Sequence, residues 1–149
     1  MELDNAVFHL LRRALQEHTA NWQAQLPRMT KPQYAVLRAV YEHPGLEQAA
    51  LGQLAAIDKA TLASLLLRLE QRGLLLRTVD AGDRRRRLLQ LTDEGRATLE
   101  QAAPVADSVD SAMLERLHLH ERDQLRQLLG KLTAPPESAP EAESPGTRH

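Results

Sequence analysis

Apolar residues at the start of the chain recur with helical spacing and predict one long amphipathic helix over residues 3–26. At about 100° per residue they form a single stripe, which consists of Leu3, Val7, Leu10, Leu11, Ala14, Leu15, His18, Trp22 and Leu26. Pro27 ends the helix, because proline has no backbone N–H to continue it. A helix of about 24 residues is roughly 36 Å long. Its stripe exceeds what one small domain covers and predicts a second copy of the chain as a partner.

Two shorter helices are predicted next. The first begins at about Lys31, with Pro32 near its first turn, and ends at His43. The other covers residues 48–56 and directs three side chains inward, namely Leu51, Leu54 and Ala55. A short turn of three residues, 57–59, then leads into another helix.

This fourth helix is predicted over residues 59–72. Asp58 is a good N-cap, because its side-chain oxygen accepts backbone N–H groups at the helix start, and Gly73 stops the helix. The buried stripe comprises Leu62, Leu65, Leu66 and Leu69. The opposite side carries mostly small and polar residues, Ala60, Ala63, Ser64, Leu67 and Gln71, with Lys59, Thr61 and Arg68 beside them. This second face is suited to close approach by another molecule.

After Gly73 the pattern changes to that of a β-hairpin. Two short strands over residues 74–79 and 86–91 flank a turn-rich tip at 80–83. Thr92 then caps a helix that continues to about Leu117 and is bent at Pro104. A final helix is predicted near residues 119–132. The chain is therefore mainly α, with a small β-hairpin.

Helix, three-residue turn, helix and hairpin together predict a winged helix-turn-helix, whose second helix enters the major groove of double-stranded DNA. Helix 48–56 braces helix 59–72, and the hairpin is the wing. Small residues admit base edges, and polar or cationic side chains reach bases and phosphates. The predicted DNA contacts are Gln48, Lys59, Ala60, Thr61, Ser64, Arg68, Asp83, Arg84, Arg85 and Arg86.

The charge distribution supports this interpretation locally. The net charge is −1, of which the segment 134–149 contributes −2 and residues 1–133 contribute +1. A nucleic-acid footprint must therefore be a local cluster, and four consecutive arginines occupy positions 84–87 of the wing. Such side chains fit an adjacent minor groove, and Asp83 fits beside phosphates only if it pairs with one of them. In isolation, the run would be an ordinary solvated turn.

Composition excludes several classes of protein. Leu and Ala make up 49 of 149 residues, against 7 for Val plus Ile and 4 aromatics, which excludes a β-sandwich or a large parallel sheet. The chain has no Cys and no apolar run of membrane-spanning length, and neither a phosphate loop nor metal-binding spacing is present. We therefore expect a cytoplasmic protein that is not an enzyme and has no cofactor or metal. The Pro-rich segment 134–149 is predicted to be disordered.

The motifs resemble those of the MarR family of bacterial transcription regulators. The resemblance extends over residues 3–133 and is carried by residues 57–62, 68–74, Asp83-Arg84-Arg85 and the Leu-Thr-x-x-Gly sequence at 91–95. It implies a homodimer with a helical dimerisation region, 1–30 and 93–133, and a winged-helix DNA-binding domain, 31–92. It also implies that Asp83 and Arg85 form a wing pair, with Arg85 in the minor groove. The additional Arg86 and Arg87 either strengthen phosphate contacts or lie on the strand faces.

The same resemblance implies a small effector. Many relatives release DNA when they bind an aromatic carboxylate or a phenol, and residues 43–48 resemble relatives that control aromatic-acid catabolism. Such a pocket needs an apolar slot with a cation or polar donor, and the candidates are His18, Trp22, Tyr34 and Arg38. Three of them have a structural alternative, since His18 also suits a core or dimer interface, Trp22 suits core packing and Arg38 suits the surface or an interface.

Two functions follow from these patterns. The first is a repressor that binds a pseudo-palindromic operator as a homodimer. The second is a dimeric helical adaptor without DNA binding, since amphipathic helices suit either role. The Arg-rich wing favours the first, because an adaptor has no need of it.

Overall fold

In the computed structural model, which describes residues 2–134, the predicted N-terminal helix is divided at Ala6. A short 3-10 helix, Leu3–Asn5, precedes helix α1, Val7–Gln25. Ala6 has an extended backbone, with φ −73° and ψ 125°. The prediction of one continuous helix was therefore wrong. Asp and Asn favour turns over helix interiors, and here the Asn5 amide bonds to the Glu2 carboxylate at 3.3 Å.

Helices α2, Lys31–Glu42, and α3, Gln48–Ala55, lie where the pattern placed them. Leu51 is fully buried, but Leu54 is 57% exposed, so the inward orientation predicted for Leu54 was wrong. Leu51 and Ala55 are i, i+4 neighbours on the line that faces the core, and Leu54 lies about 60° away from Leu51 around this short helix. A helix of eight residues buries only that one line.

Helix α4, Lys59–Gln71, begins at its predicted residue and ends one residue before its predicted end at 72. The Asp58 carboxylate accepts the backbone N–H of Thr61 at 2.9 Å, and Gly73 has the left-handed φ of +74° that suits a residue following a helix. Its predicted buried stripe is buried, namely Leu62, Leu65, Leu66 and Leu69.

A three-stranded antiparallel sheet follows. Strands β2, Leu75–Val79, and β3, Arg87–Leu91, form the predicted hairpin, with Leu75 opposite Leu91. A two-residue strand β1, Leu46–Glu47, pairs with the other edge of β3, giving the order β1-β3-β2. The sequence did not predict β1, because two residues are too few to show an alternating pattern.

Helix α5, Asp93–Leu114, ends three residues before its predicted end, and α6 comprises Leu119–Thr133. Thr92 caps α5 as predicted, since its hydroxyl accepts the backbone N–H of Gly95 at 2.9 Å. The chain divides into two units, described here over residues 2–111 and 112–134. The predicted disordered segment lies, except for Ala134, outside the described residues.

The core belongs to the first unit. Its larger cluster joins apolar residues of α2, α3, α4, α5 and the sheet, and a smaller cluster joins Trp22, Ala106 and Val109. None of residues 112–134 is buried. Within residues 2–134 no single helix is long and apolar enough to cross a bilayer; only α3 and α4 taken together, bent by 108°, have the required length and composition.

Candidate nucleic-acid interface

The side of α4 opposite the core is an exposed surface of small, polar and cationic residues. Every member of the predicted contact set on this helix is exposed, namely Lys59, Ala60, Thr61, Ser64 and Arg68. Leu67, on the same side, is 49% exposed. This arrangement leaves one face of α4 free to enter a groove, while its leucines anchor the other face in the core.

Asp58 orients the start of this helix. Its carboxylate accepts both the backbone N–H of Thr61 at 2.9 Å and the Thr61 hydroxyl at 2.7 Å. These bonds, the backbone one first, hold the pKa of Asp58 below its ordinary value of 3.8. The Thr61 hydroxyl is thus committed as a donor, and its oxygen remains available only as an acceptor.

Two aspartates shape the tip of the wing. Asp80 accepts the backbone N–H of Gly82, and Asp83 accepts that of Arg85, both at 3.0 Å. Such side-chain bonds to the backbone two residues on are typical of Asx turns. The Asp83 carboxylate therefore pairs with the backbone of Arg85, and it acts on this arginine by setting the turn that carries it.

The four wing arginines have different surroundings. Arg86 lies 3.4 Å from Glu47 and 3.4 Å from Asp80, so two carboxylates hold it against the base of the wing. Arg87 donates to the carbonyl of Arg84 at 3.0 Å. For the guanidinium groups of Arg84 and Arg85, no hydrogen bond or ion pair is found within residues 2–134. These two cations are the ones available to an incoming phosphate or base.

The wing and the start of α4 face a common cleft. A space of about 530 Å³ is lined by Lys59 from α4, by Arg85 and Arg87 from the wing, and by Gln48 and Gln53 from α3. Its lining also includes one carboxylate, that of Glu47, which is paired with Arg86. Cations from two elements therefore point toward one gap. The geometry suits a polyanionic backbone that passes between the helix and the wing.

Arg77 was absent from the predicted site, yet it joins three elements. Its Nε lies 2.5 Å from Oε1 of Glu70 on α4, and its Nη1 donates to Oε1 of Gln48 on α3 at 3.4 Å. Gln48, a predicted DNA contact, is half-buried and holds this bond. Arg77 thus positions β2 of the wing against the exposed helix. No local spacing indicates this role, since Gln48 and Arg77 are 29 positions apart.

A larger cavity of about 1120 Å³ lies between α1, the start of α2 and α4. Its apolar wall includes Trp22, Leu26, Met29 and Leu65, and its charged residues are Lys31 and Arg68. Trp22 is fixed in the wall by its indole N–H, which donates to the Met29 carbonyl at 2.7 Å. Four residues of the exposed α4 face also line this cavity, namely Ala60, Thr61, Ser64 and Arg68.

The four predicted effector residues separate into two places. Trp22 lines the large cavity, whereas His18 is not among the lining residues and its ring centroid lies 6.0 Å from that of Trp22. Nδ1 of His18 is 3.0 Å from Nζ of Lys31, and Nε2 is 2.6 Å from Oδ1 of Asp110. Tyr34 and Arg38 line a separate cavity of about 350 Å³ between α2 and α5.

Arg38 is already paired within its own helix. It donates to Glu42 at 2.9 Å and to the Tyr34 hydroxyl at 3.1 Å, and these bonds raise its pKa further above the ordinary value. Lys31, which the sequence placed at an ordinary helix start, is one of the two cations that line the large cavity. Among residues 2–134, no group of three metal-ligating side chains is close enough to hold an ion.

Comparison with known proteins places these features in a family context. Residues 29–86 match the sequence model of the MarR family. The transcriptional regulator HosA of Escherichia coli is 51% identical over 132 residues, which cover 89% of this chain and 98% of HosA.

Two solved structures resemble the fold closely. BpsR of Bordetella bronchiseptica, whose DNA binding is regulated by 6-hydroxynicotinic acid, superposes with a TM-score of 0.85 at 34% identity, covering 89% of this chain and 96% of BpsR. The transcriptional repressor CouR, from Rhodococcus jostii, bound to a 23-mer DNA duplex, gives a TM-score of 0.82 at 31% identity, covering 89% of this chain and 96% of CouR.

Proposed function

The chain belongs to the MarR family of transcriptional regulators, and we propose that it is a cytoplasmic homodimeric repressor that a small aromatic acid or phenol releases from its operator. One observation carries the DNA-binding part of this proposal. The exposed face of α4 and the unpaired guanidinium groups of Arg84 and Arg85 belong to elements that share one cleft. An adaptor has no use for cations arranged in this way.

In the proposed complex, α4 lies in the major groove and Arg85 enters the neighbouring minor groove. The wing aspartates hold the tip in shape, and Arg77 holds β2 against α4 and α3. Two such units in a dimer would bind half-sites about one helical turn apart, roughly 10 bp. The operator is therefore expected to be a pseudo-palindrome.

Exposed apolar residues support the homodimer. Within the described residues, large hydrophobic side chains are exposed along both α1 and α6, namely Val7, Phe8, Leu10, Leu15, Leu119, Leu125, Leu128 and Leu132. Single exposed apolar residues are common, but rows of them on two helices favour an interface. We assign dimerisation to residues 1–30 and 93–133 and DNA binding to residues 31–92.

The charge of the large cavity supports an acidic effector. Its described lining contains two cations, Lys31 and Arg68, and no carboxylate, around an apolar wall that includes Trp22. An anion with a flat apolar body complements such a space. Because Arg68, Ser64 and Thr61 also face the DNA side, an occupant would compete for side chains that the operator needs.

A gel-shift titration with the DNA upstream of the chain's own gene tests the DNA-binding part. The expected result is a saturable shift that weakens steeply with salt, since each phosphate contact releases counterions. A thermal-shift screen of aromatic acids and phenols, followed by operator release with any hit, tests the effector part. If the protein is a dimer but gives no gel shift with DNA, the helical adaptor is favoured.

A further inference from the structure

We propose that Lys31 is the cation that binds the acid group of the effector, and that His18 and Asp110 hold it at the cavity wall. This assignment rests on the proposed function, because it presupposes an acidic effector in the large cavity. It adds a binding residue, Lys31, and a positioning residue, Asp110, that neither spacing nor composition indicates, and it gives the sequence-predicted His18 a positioning role.

Of the two cations that line the cavity, Lys31 is the one outside the proposed DNA surface. Arg68 lies on the exposed face of α4, where it also faces the operator. Lys31 begins α2 and is half-buried beside the wall that holds Trp22. An acid group at Lys31 would place an aromatic body against that wall, and the cation that anchors it would not itself be a DNA contact.

The hydrogen bonds around Lys31 determine which atoms carry protons. An ammonium group only donates, so Nδ1 of His18, 3.0 Å from Nζ, must accept. The ring proton is therefore on Nε2, where it is donated to Asp110 at 2.6 Å. The imidazole of His18 thus connects a cation on α2 to a carboxylate on α5.

This arrangement leaves the ammonium group poorly compensated. Burial lowers the pKa of Lys31, and the charge of Asp110 opposes that effect only partly, from the far side of the imidazole ring. The partner in direct contact is a neutral nitrogen, and two ammonium N–H groups remain for other acceptors. A carboxylate in the cavity would supply both the negative charge and the acceptors. Its hydrogen bond to Lys31 would therefore be stronger than the present bond between Lys31 and the ring nitrogen of His18.

An acid bound at Lys31 would also affect the bonds that Lys31 makes, through His18, to other helices. The Lys31–His18–Asp110 relay contains one residue each from α2, α1 and α5. When a carboxylate draws the ammonium group away, His18 loses the donor that sets its tautomer. The bond that joins the start of the DNA-binding domain to α1 and α5 then changes.

Trp22, the only tryptophan of the chain, reports binding by fluorescence because it lines the cavity. The probes are two pairs, each an acid with its neutral amide: 6-hydroxynicotinic acid with 6-hydroxynicotinamide, and benzoic acid with benzamide. The full-length protein should bind each acid about tenfold or more tightly than the corresponding amide, which is the difference expected of a charge-assisted hydrogen bond. Lys31→Met should abolish this preference, because it weakens binding of the acid far more than binding of the amide.

Two matched controls separate charge from folding. Arg28→Met removes an exposed cation three residues before Lys31 and should keep the preference for the acid. Asp110→Asn should weaken the preference, whereas Asp107→Asn, an exposed change on the same helix, should not. Nitrogen-15 NMR of His18 should show the Nε2–H tautomer in the free protein and its loss in Lys31→Met.

The outcomes distinguish the assignment from the proposed function. If acids quench Trp22 and Lys31→Met keeps the acid preference, the assignment is overturned while the effector class stands. If neither acid binds the unmodified protein, the acidic-effector part of the proposed function fails, and the assignment fails with it. If Lys31→Met does not fold, Lys31→Gln provides the same comparison.

Discussion

Gly95 lies so close to the backbone carbonyl of Leu74 that a Cβ at this position would be 1.9 Å from the oxygen. Leu74 leads into the wing, and Gly95 lies in the first turn of α5. Thr92 completes the junction, since its hydroxyl donates to the Gly73 carbonyl at 2.6 Å and its backbone N–H donates to Leu74 at 3.1 Å. The glycine of the Leu-Thr-x-x-Gly motif is therefore a requirement of space.

Gly95→Ala should destabilise the fold strongly, because the oxygen that the methyl group meets belongs to the backbone and cannot rotate away. The expected cost is about 3 kcal/mol or more in the free energy of unfolding. Gly82→Ala is the matched control, since its Cβ would meet only an Asp80 carboxylate oxygen at 3.8 Å. Thermal unfolding followed by circular dichroism measures both. Equal melting temperatures for the two variants would contradict the steric role of Gly95.

Arg85→Ala should lower operator affinity by several-fold or more without lowering the melting temperature, because its guanidinium has no partner within the described residues. Arg126→Ala is the control and should leave affinity unchanged, since it removes an exposed arginine whose ion pair within residues 2–134 is with Asp123 of α6. Gel shifts at constant salt give the comparison. An unaltered affinity for Arg85→Ala would remove the wing from the mechanism.

Removing both available wing cations should also change the salt dependence. If Arg84 and Arg85 each neutralise a phosphate, the double alanine variant should reduce the slope of log affinity against log salt by about 1.8 per subunit. Fluorescence anisotropy over a salt series measures that slope. If the double variant binds more weakly but has the same slope as the unmodified protein, the two arginines act without releasing counterions.

In the proposed homodimer, the apolar faces of α1 and α6 contribute to the interface between the two copies. Leu128→Asp places a charge on α6, where the side chain is 58% exposed, and should yield monomers that no longer bind the operator. Leu54→Asp, at 57% exposure on α3, lies outside the proposed dimerisation region and should remain dimeric. Sedimentation velocity distinguishes the species. Dimers in both variants would exclude this face of α6 from the interface.

Asp58 makes part of the stability depend on pH. Because the pKa of Asp58 is lower in the folded chain than its ordinary value of 3.8, its stabilisation is complete above that value and is lost as the pH falls through the lowered pKa. The melting temperature of Asp58→Ala should thus approach that of the unmodified protein in acid. Asp58→Asn, which caps without titrating, should lack this pH-dependent term. If the difference in melting temperature between Asp58→Ala and the unmodified protein stays constant from neutral pH to acid, the role of the carboxylate is contradicted.

Local patterns determined most of the architecture. The Asp58 cap, the Gly73 stop, the leucine stripe of α4 and the Thr92 cap all act within a few residues, so periodicity and turn chemistry reveal them. The continuous helix over residues 3–26 and the inward orientation of Leu54 were wrong predictions, because a hydrophobic stripe does not show where a helix starts or how wide a core it meets.

Tertiary structure alone decided which side chains are available to a partner. Arg84 and Arg85 differ from Arg86 only because Glu47 and Asp80 reach the latter. His18 and Asp110 are 92 positions apart, and only packing brings α1 and α5 close enough for their bond. The order of helices and wing followed from contacts within a turn or two along the chain. The free cations and the cavity depend on groups that meet only after the chain has folded, and no spacing along the sequence records those distances.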